Sequence, residues 1–400
     1  MPVSRQGLKA HSPDVTTSPH DPIGVYIHWP FCQAICPYCD FNVHLPRRVD
    51  DARWRAALVA EIDHFAARIG RHPARSVYFG GGTPSLMPAA TVAAVIDRVA
   101  HHWPAADVEV TLEANPTSSE AARFADYRAA GVNRLSLGVQ ALDDAALAFL
   151  GRRHTAAEAM AALAVALGCF DRVNVDLIYA RPDQSVTSWR RELDRAIGLG
   201  PGHLSLYQLT VEPGTAFQRQ RARGRFRLPA DDLAADLYAV AQERTLAAGL
   251  PAYEVSNHAA PGHRSRHNLT IWQAGAYVGI GPGAHGRLPG PDGVVAHVQL
   301  RRPADWLAAV ARQGHGTDTA TPLDPDERAA EAVMLGLRTT DGLSRDLFKA
   351  RTGRALDDLL DPAAVADLVS SGHLLETADG LKTTPAGRAV LDSVTGRLLA

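Results

Sequence analysis

Three of the four cysteines fall within eight residues, as Cys32-x-x-x-Cys36-x-x-Cys39. Thiolates this close in one loop can face a single metal centre, and cysteine thiolates are the ligands of iron–sulfur clusters. Three ligands on a four-iron cube leave one iron without a protein ligand. An open iron can take the amino and carboxylate groups of S-adenosylmethionine (SAM). An electron passed from the cluster into the sulfonium then breaks a C–S bond and gives an adenosyl radical. The competing reading is a structural zinc site completed by His28 or His44. Zinc knuckles usually come in pairs, and no second short-spaced pair follows, so the spacing favours the cluster. Cys169, in Leu167-Gly168-Cys169-Phe170, reads as a small apolar core residue.

The elements that must carry this loop are legible around it. Val25 to Trp29 is an apolar run that reads as a buried strand, and the cysteines follow it directly. A helical pattern over about Asp50 to Ile69 puts Trp54, Leu58, Ile62 and Phe65 on one face. Strands are then expected at Ser76–Phe79, Val108–Leu112, Arg134–Val139, Val173–Ile178 and Leu204–Leu209. Helical segments lie between them, among them Ser119–Ala130 with Ser119 as N-cap, and Leu233–Ala247. Six strands each followed by a helix imply parallel βαβ units. Polar and glycine signals end every strand, which suits an α/β fold built as a partial (β/α)6 TIM-like barrel, with its chemistry at the C-terminal strand ends. The expected divisions are a disordered segment over 1–22, the barrel over 23–255, a Gly/His-rich region of little periodicity over 256–323, and a small winged-helix-like C-terminal domain over 324–400.

The 400 residues, 46% of them apolar, are enough for such a barrel with an appendage. A formal charge of −2 implies no global pull on nucleic acid or anionic lipid. Residues 326–400 hold nine Lys/Arg against twelve Asp/Glu, so the expected wing is a packing or partner module, without nucleic acid as a ligand. Four cysteines are too few for a disulfide framework. Residues 1–22 lack the apolar stretch of a signal peptide, and no apolar run reaches the roughly 18 residues of a membrane span. The expectation is a cytoplasmic protein, with peripheral membrane contact left open.

Tyr26-x-His28-x-Pro30-Phe31-Cys32, with Cys36-Pro37-Tyr38-Cys39-Asp40-Phe41, resembles the radical SAM proteins. More narrowly, it resembles the branch of the oxygen-independent coproporphyrinogen III oxidases and the HemW-type heme chaperones. The resemblance runs from about residue 23 to 400 and implies a [4Fe-4S] cluster on Cys32, Cys36 and Cys39. It implies SAM contacts from Tyr26, Tyr38, Gly81, Gly82, Thr83, Glu113, Gln140, Arg152 and Asp176. Arg153 competes with Arg152 by position. Glycines at 80–82 would let backbone approach the methionyl amino group. Asp176 inside an apolar strand is costly unless it is paired.

Two features separate the branches. The oxidase pattern has a fourth cysteine two residues after the third, where this chain has Phe41; the oxidase also carries a longer N-terminal segment. The chaperone branch has a His-Asn-x-x-Tyr-Trp motif, and this chain reads His267-Asn268-Leu269-Thr270-Ile271-Trp272, departing at Ile271. A neutral imidazole is a natural axial ligand of heme iron, so His267 is the expected heme ligand, with His258, His263 and His285 as neighbours able to serve. The resemblance thus implies a heme chaperone with heme as cargo, heme-acceptor proteins (respiratory enzymes among them), an electron donor, and a homodimer in view. The alternative is a coproporphyrinogen oxidase or a related radical SAM methyltransferase.

Overall fold

The computed structural model describes residues 21–46, 48–290 and 293–400. The disordered segment expected over 1–22 lies outside them but for Asp21 and Pro22. Six strands, β1 (Ile23–Trp29), β2 (Ala74–Gly81), β3 (Glu109–Ala114), β4 (Arg134–Gln140), β5 (Arg172–Tyr179) and β6 (His203–Gln208), pair in parallel in sequence order. Helices connect them and cover the outer face. The expected α/β partial barrel is the architecture observed.

Each barrel strand alternates. In β4, Leu135, Leu137 and Val139 are buried against the helical layer, and in β5 so are Val173, Val175 and Leu177. The residues between them turn inward. The first helix (Asp51–Ile69) starts at Asp50, whose carboxylate accepts the Arg53 N–H and so satisfies one free donor of its first turn. Trp54, Leu58, Ile62 and Phe65 are buried as their spacing requires.

One expectation is corrected. The helix foreseen over Ser119–Ala130 is two short ones, Ser118–Ala121 and Phe124–Ala129, and Thr117 is its N-cap. The break lets two side chains serve neighbouring loops: Glu120 accepts the Asn115 N–H (2.8 Å), and Arg123 donates to the Ser85 carbonyl (2.7 Å). The stretch 256–323, Gly/His-rich and of little periodicity, carries regular structure. It forms β7 (Asn257–Ala259), β8 (Tyr277–Ile280), β9 (His285–Gly290), β10 (Gly293–Gln299) and β11 (Thr317–Pro322), which extend the same sheet at both edges. β7 runs antiparallel to β6, and β8 runs parallel to β1. β7 and β8, with three and four residues, are too short for alternation to show.

Glu61 fastens the extension to the barrel. It is fully buried and accepts the Gly281 N–H (2.8 Å), the Gly316 N–H (2.7 Å) and the Trp306 indole N–H (3.0 Å). At the C-terminal end, helices Pro325–Leu337, Arg345–Thr352 and Pro362–Ser370 enclose a separate apolar cluster with a three-stranded sheet. The hairpin Leu374–Thr377/Gly380–Thr383 takes the place of a wing.

Candidate cofactor site

The barrel encloses a cavity of about 430 Å³ at the C-terminal ends of its strands, a volume suited to one mid-sized ligand. Cys32, Cys36 and Cys39 all reach its wall. Their loop is held by backbone bonds: the Cys32 N–H donates to the His44 carbonyl (3.1 Å), and the His44 N–H donates to that of Pro30 (2.7 Å). Two donors meet the sulfurs. The Thr83 hydroxyl lies 3.4 Å from Cys32 Sγ, and Arg152 Nη1 lies 3.5 Å from Cys36 Sγ. Burial raises the Cys32 thiol and pushes Cys39 up to about 11, so these sulfurs need a metal to become thiolates at neutral pH.

The donor set fits a cluster better than zinc. Among the described residues no three His, Cys, Asp or Glu side chains converge on a single-ion position. The proposed fourth zinc ligands are also committed elsewhere. The two His28 ring nitrogens bond the Tyr26 hydroxyl (3.1 Å) and the Asn42 carbonyl (2.9 Å), and His44 Nε2 meets Asn42 Oδ1 (3.3 Å).

Gly81, Gly82 and Thr83 line the cavity, but the glycines answer first to the protein's own packing. A Cβ on Gly81, whose φ is +105°, would stand 2.6 Å from the His28 ring, and one on Gly82 would stand 2.7 Å from the Phe31 carbonyl oxygen. Bare backbone here lets the cysteine loop settle on β2, through Gly82 N–H to Trp29 O (2.7 Å) and Thr83 N–H to Phe31 O (2.9 Å). Close approach was expected; the approaching group is the loop itself.

Inward alternation supplies the rest of the wall. From β4 come Arg134, Ser136, Gly138 and Gln140, from β5 Asn174 and Asp176, and from β6 Ser205 and Tyr207. Gln140 sits at φ +68°, just after an irregularity in the β4–β5 register. Asp176 accepts from Asn174 (2.7 Å) and from the Ser136 hydroxyl (3.2 Å), which meets the cost expected for a carboxylate in this strand. Glu113 accepts from the Tyr78 hydroxyl (2.7 Å). Burial, and then the nearby Asp176, push Glu113 up to about 7. Arg152 faces the cavity while Arg153 is exposed, which separates the two competitors. Sequence reasoning missed Tyr78, Asn115, Arg134, Ser136, Asn174, Ser205 and Tyr207. A period-two count from each recognised strand residue reaches most of them.

Tyr38 is on the wall beside Phe217. Tyr26 is not among the lining residues; its ring lies about 6 Å from those of both Tyr78 (6.3 Å) and His267 (6.1 Å), with its hydroxyl on His28. The larger departure is His267, which is 4% exposed and lies beneath the cavity, at the N-terminal ends of the strands. Its Nδ1 bonds the Ser76 hydroxyl (3.0 Å), its ring stacks on Tyr78 (4.8 Å), and its backbone N–H donates to Glu109 (3.1 Å). As folded, it offers heme iron no open face. Its neighbour Asn268 is the motif residue that reaches the cavity.

Residues 26–196 match the model of the radical SAM superfamily, and residues 323–390 that of the HemN C-terminal domain. The chain is 37% identical to the heme chaperone HemW of Escherichia coli, over 95% of this chain and 98% of that one. It is 39% identical to HemW of Mycobacterium tuberculosis, with 97% of each covered. The chain belongs to the HemW family of radical SAM proteins. It is also 43% identical to the mitochondrial radical S-adenosyl methionine domain-containing protein 1 of Bos taurus, over 94% of this chain and 87% of the relative. In fold it matches coproporphyrinogen III oxidase (HemN) of E. coli, with a TM-score of 0.80 at 22% identity, across 99% of this chain and 94% of that one. Membership of the radical SAM superfamily implies a [4Fe-4S] cluster and SAM as cofactors. Among the described residues no helix is long and apolar enough to cross a membrane.

Proposed function

We propose that this protein is a heme chaperone, which binds heme and passes it to acceptor proteins. The observation that carries the reading is near-full-length identity of 37–39% to proteins named for that role. Cys32, Cys36 and Cys39 would hold the cluster. Glu113, Gln140, Arg152 and Asp176, with Tyr38 and the backbone at Gly81, Gly82 and Thr83, would hold SAM, while Tyr26 supports Tyr78 from behind. When bound, cluster and SAM together supply one-electron cleavage of a C–S bond. The chain's own part is to hold the thiolates under two hydrogen-bond donors and to keep a carboxyl at Glu113 that gains and loses its proton near neutrality.

The cysteine loop supports heme handling in a second way. Ile35 and Phe41, 51% and 66% exposed, stand at the cavity wall, where they would offer apolar contact to a planar cargo. Phe41 stands where the oxidase pattern has cysteine. Ligation by His267 would require the helix Arg266–Trp272 to leave the barrel floor.

Anaerobic reconstitution followed by heme titration tests the proposal. About one heme per chain is expected, reported by a Soret band, with no decarboxylation of coproporphyrinogen by the same sample. Decarboxylation without a Soret band would make the protein an enzyme of the oxidase type instead.

A further inference from the structure

Asn115, in the loop after β3, belongs to none of the motif positions discussed above, yet its side chain joins two of the cluster cysteines. Its Oδ1 accepts from Arg152 Nη2 (2.5 Å), and Arg152 Nη1 donates to Cys36 Sγ (3.5 Å). Its Nδ2 donates to Thr83 Oγ1 (3.3 Å), and the Thr83 hydroxyl donates to Cys32 Sγ (3.4 Å). The result is a continuous path, Cys36–Arg152–Asn115–Thr83–Cys32. Asn115 is itself fixed on Glu120, through its backbone N–H to Oε2 (2.8 Å) and through Nδ2 to Oε1 (3.3 Å).

The chemistry of the amide matters here. Only a side chain with both an acceptor and a donor can accept the guanidinium N–H and donate a hydrogen bond to the hydroxyl oxygen. Because Thr83 Oγ1 accepts a hydrogen bond from Asn115 Nδ2–H, its own hydroxyl hydrogen points at the Cys32 sulfur. A carboxylate at position 115 would still accept from Arg152, but it would draw the Thr83 proton to itself and leave the sulfur bare. Donors on cluster sulfurs favour the reduced state, which carries the additional negative charge.

We propose that Asn115 is a positioning residue that orients the donors on two cluster sulfurs and thereby raises the reduction potential of the cluster. The inference rests on assigning the cluster to Cys32, Cys36 and Cys39. The test is the midpoint potential of the reconstituted cluster, read by EPR-monitored titration, with iron and sulfide content measured on each sample. Asn115→Asp should lower the equilibrium constant for reduction about tenfold, or about 59 mV for one electron. Thr83→Val should move it in the same direction, and Thr83→Ser, which keeps the hydroxyl, should hold the wild-type potential.

An unchanged potential in Thr83→Val at full iron content overturns the proposal whatever Asn115→Asp does, because the charge an aspartate adds lowers the potential by itself. Thr83→Val leaves the bonds of Asn115 to Glu120 and Arg152 in place, so it decides equally where Asn115→Asp fails to fold or to load iron. A wild-type chain that assembles no [4Fe-4S] cluster removes the cysteine assignment itself, an outcome distinct from an unmoved potential.

Discussion

His267→Ala should cost fold stability, because His267 works in this conformation as part of the barrel floor. Replacing a buried ring by a methyl group leaves a cavity, for which large-to-small core changes cost about 2–5 kcal/mol. The Ser76 hydroxyl loses its partner at 3.0 Å, adding about 1 kcal/mol, and the stack on Tyr78 at 4.8 Å is worth about 0.5–1.5 kcal/mol. These terms overlap, so about 3–5 kcal/mol is expected in all. For a chain of 400 residues the unfolding entropy is roughly 0.8 kcal/mol/K, which converts the loss to a Tm lower by about 4–6 °C. Ser76→Ala, which keeps the ring, should cost only about 1 kcal/mol. Thermal unfolding of the apoprotein by circular dichroism, paired with heme titration well below Tm, separates packing from ligation. A His267→Ala protein that melts with the wild type and yet forms no Soret band would refute the reasoning and make His267 an exposed ligand in solution.

Two further predictions concern pH and the glycine run. Burial holds His64, His154, His258, His267 and His297 down to about 4, while it pushes Glu61 and Glu113 up to about 7. Between about pH 6.5 and 4 the unfolded state takes up histidine protons that the folded state refuses, so this stability is full above 6.5 and lost on acidification. The two carboxyls act oppositely but are fewer, so urea midpoints should fall from pH 6.5 to 4.5; a rising midpoint would contradict the burial argument. Gly81→Ala should destabilise by about 2–5 kcal/mol, from a strained positive φ and from overpacking against a His28 ring pinned at both nitrogens. Gly168→Ala, in the helix Ala156–Cys169 with nothing within 4 Å of its added Cβ, should be neutral or stabilising, and equal Tm values for the two variants would refute the clash.

What was legible in the sequence follows from the range of each signal. Strand-then-helix alternation and the cysteine spacing are local signals; the first led to the observed barrel, the second to a loop whose three sulfur-bearing residues line one cavity. The polar barrel wall was half legible. Asp176 drew notice as a charge in an apolar strand, but Asn174 and Ser205 on the same inward face did not, because an uncharged polar residue in a strand raises no cost that a reader would query. The attachment of the extension was hidden because it is long-range: β8 finds β1 across about 250 residues with only four residues of its own. Asn115 was hidden because its role lies in two partners from distant loops.

The His-Asn-x-x-x-Trp segment shows the limit most sharply. Successive residues of a helix point about 100° apart, so a motif on a helix names positions without saying which one faces the ligand. Here Glu109 decides. It is buried, and although burial alone would raise its pKa, Arg134 and Arg172 hold it below the usual range. As a carboxylate it accepts the N–H groups of Arg266 (3.1 Å) and His267 (3.1 Å), which fixes the rotation of the first turn. That rotation sends His267 toward Ser76 and Asn268 toward the cavity. Ligation of heme by His267 would therefore be coupled to a carboxylate on β3, and releasing that anchor is the conformational step it would require.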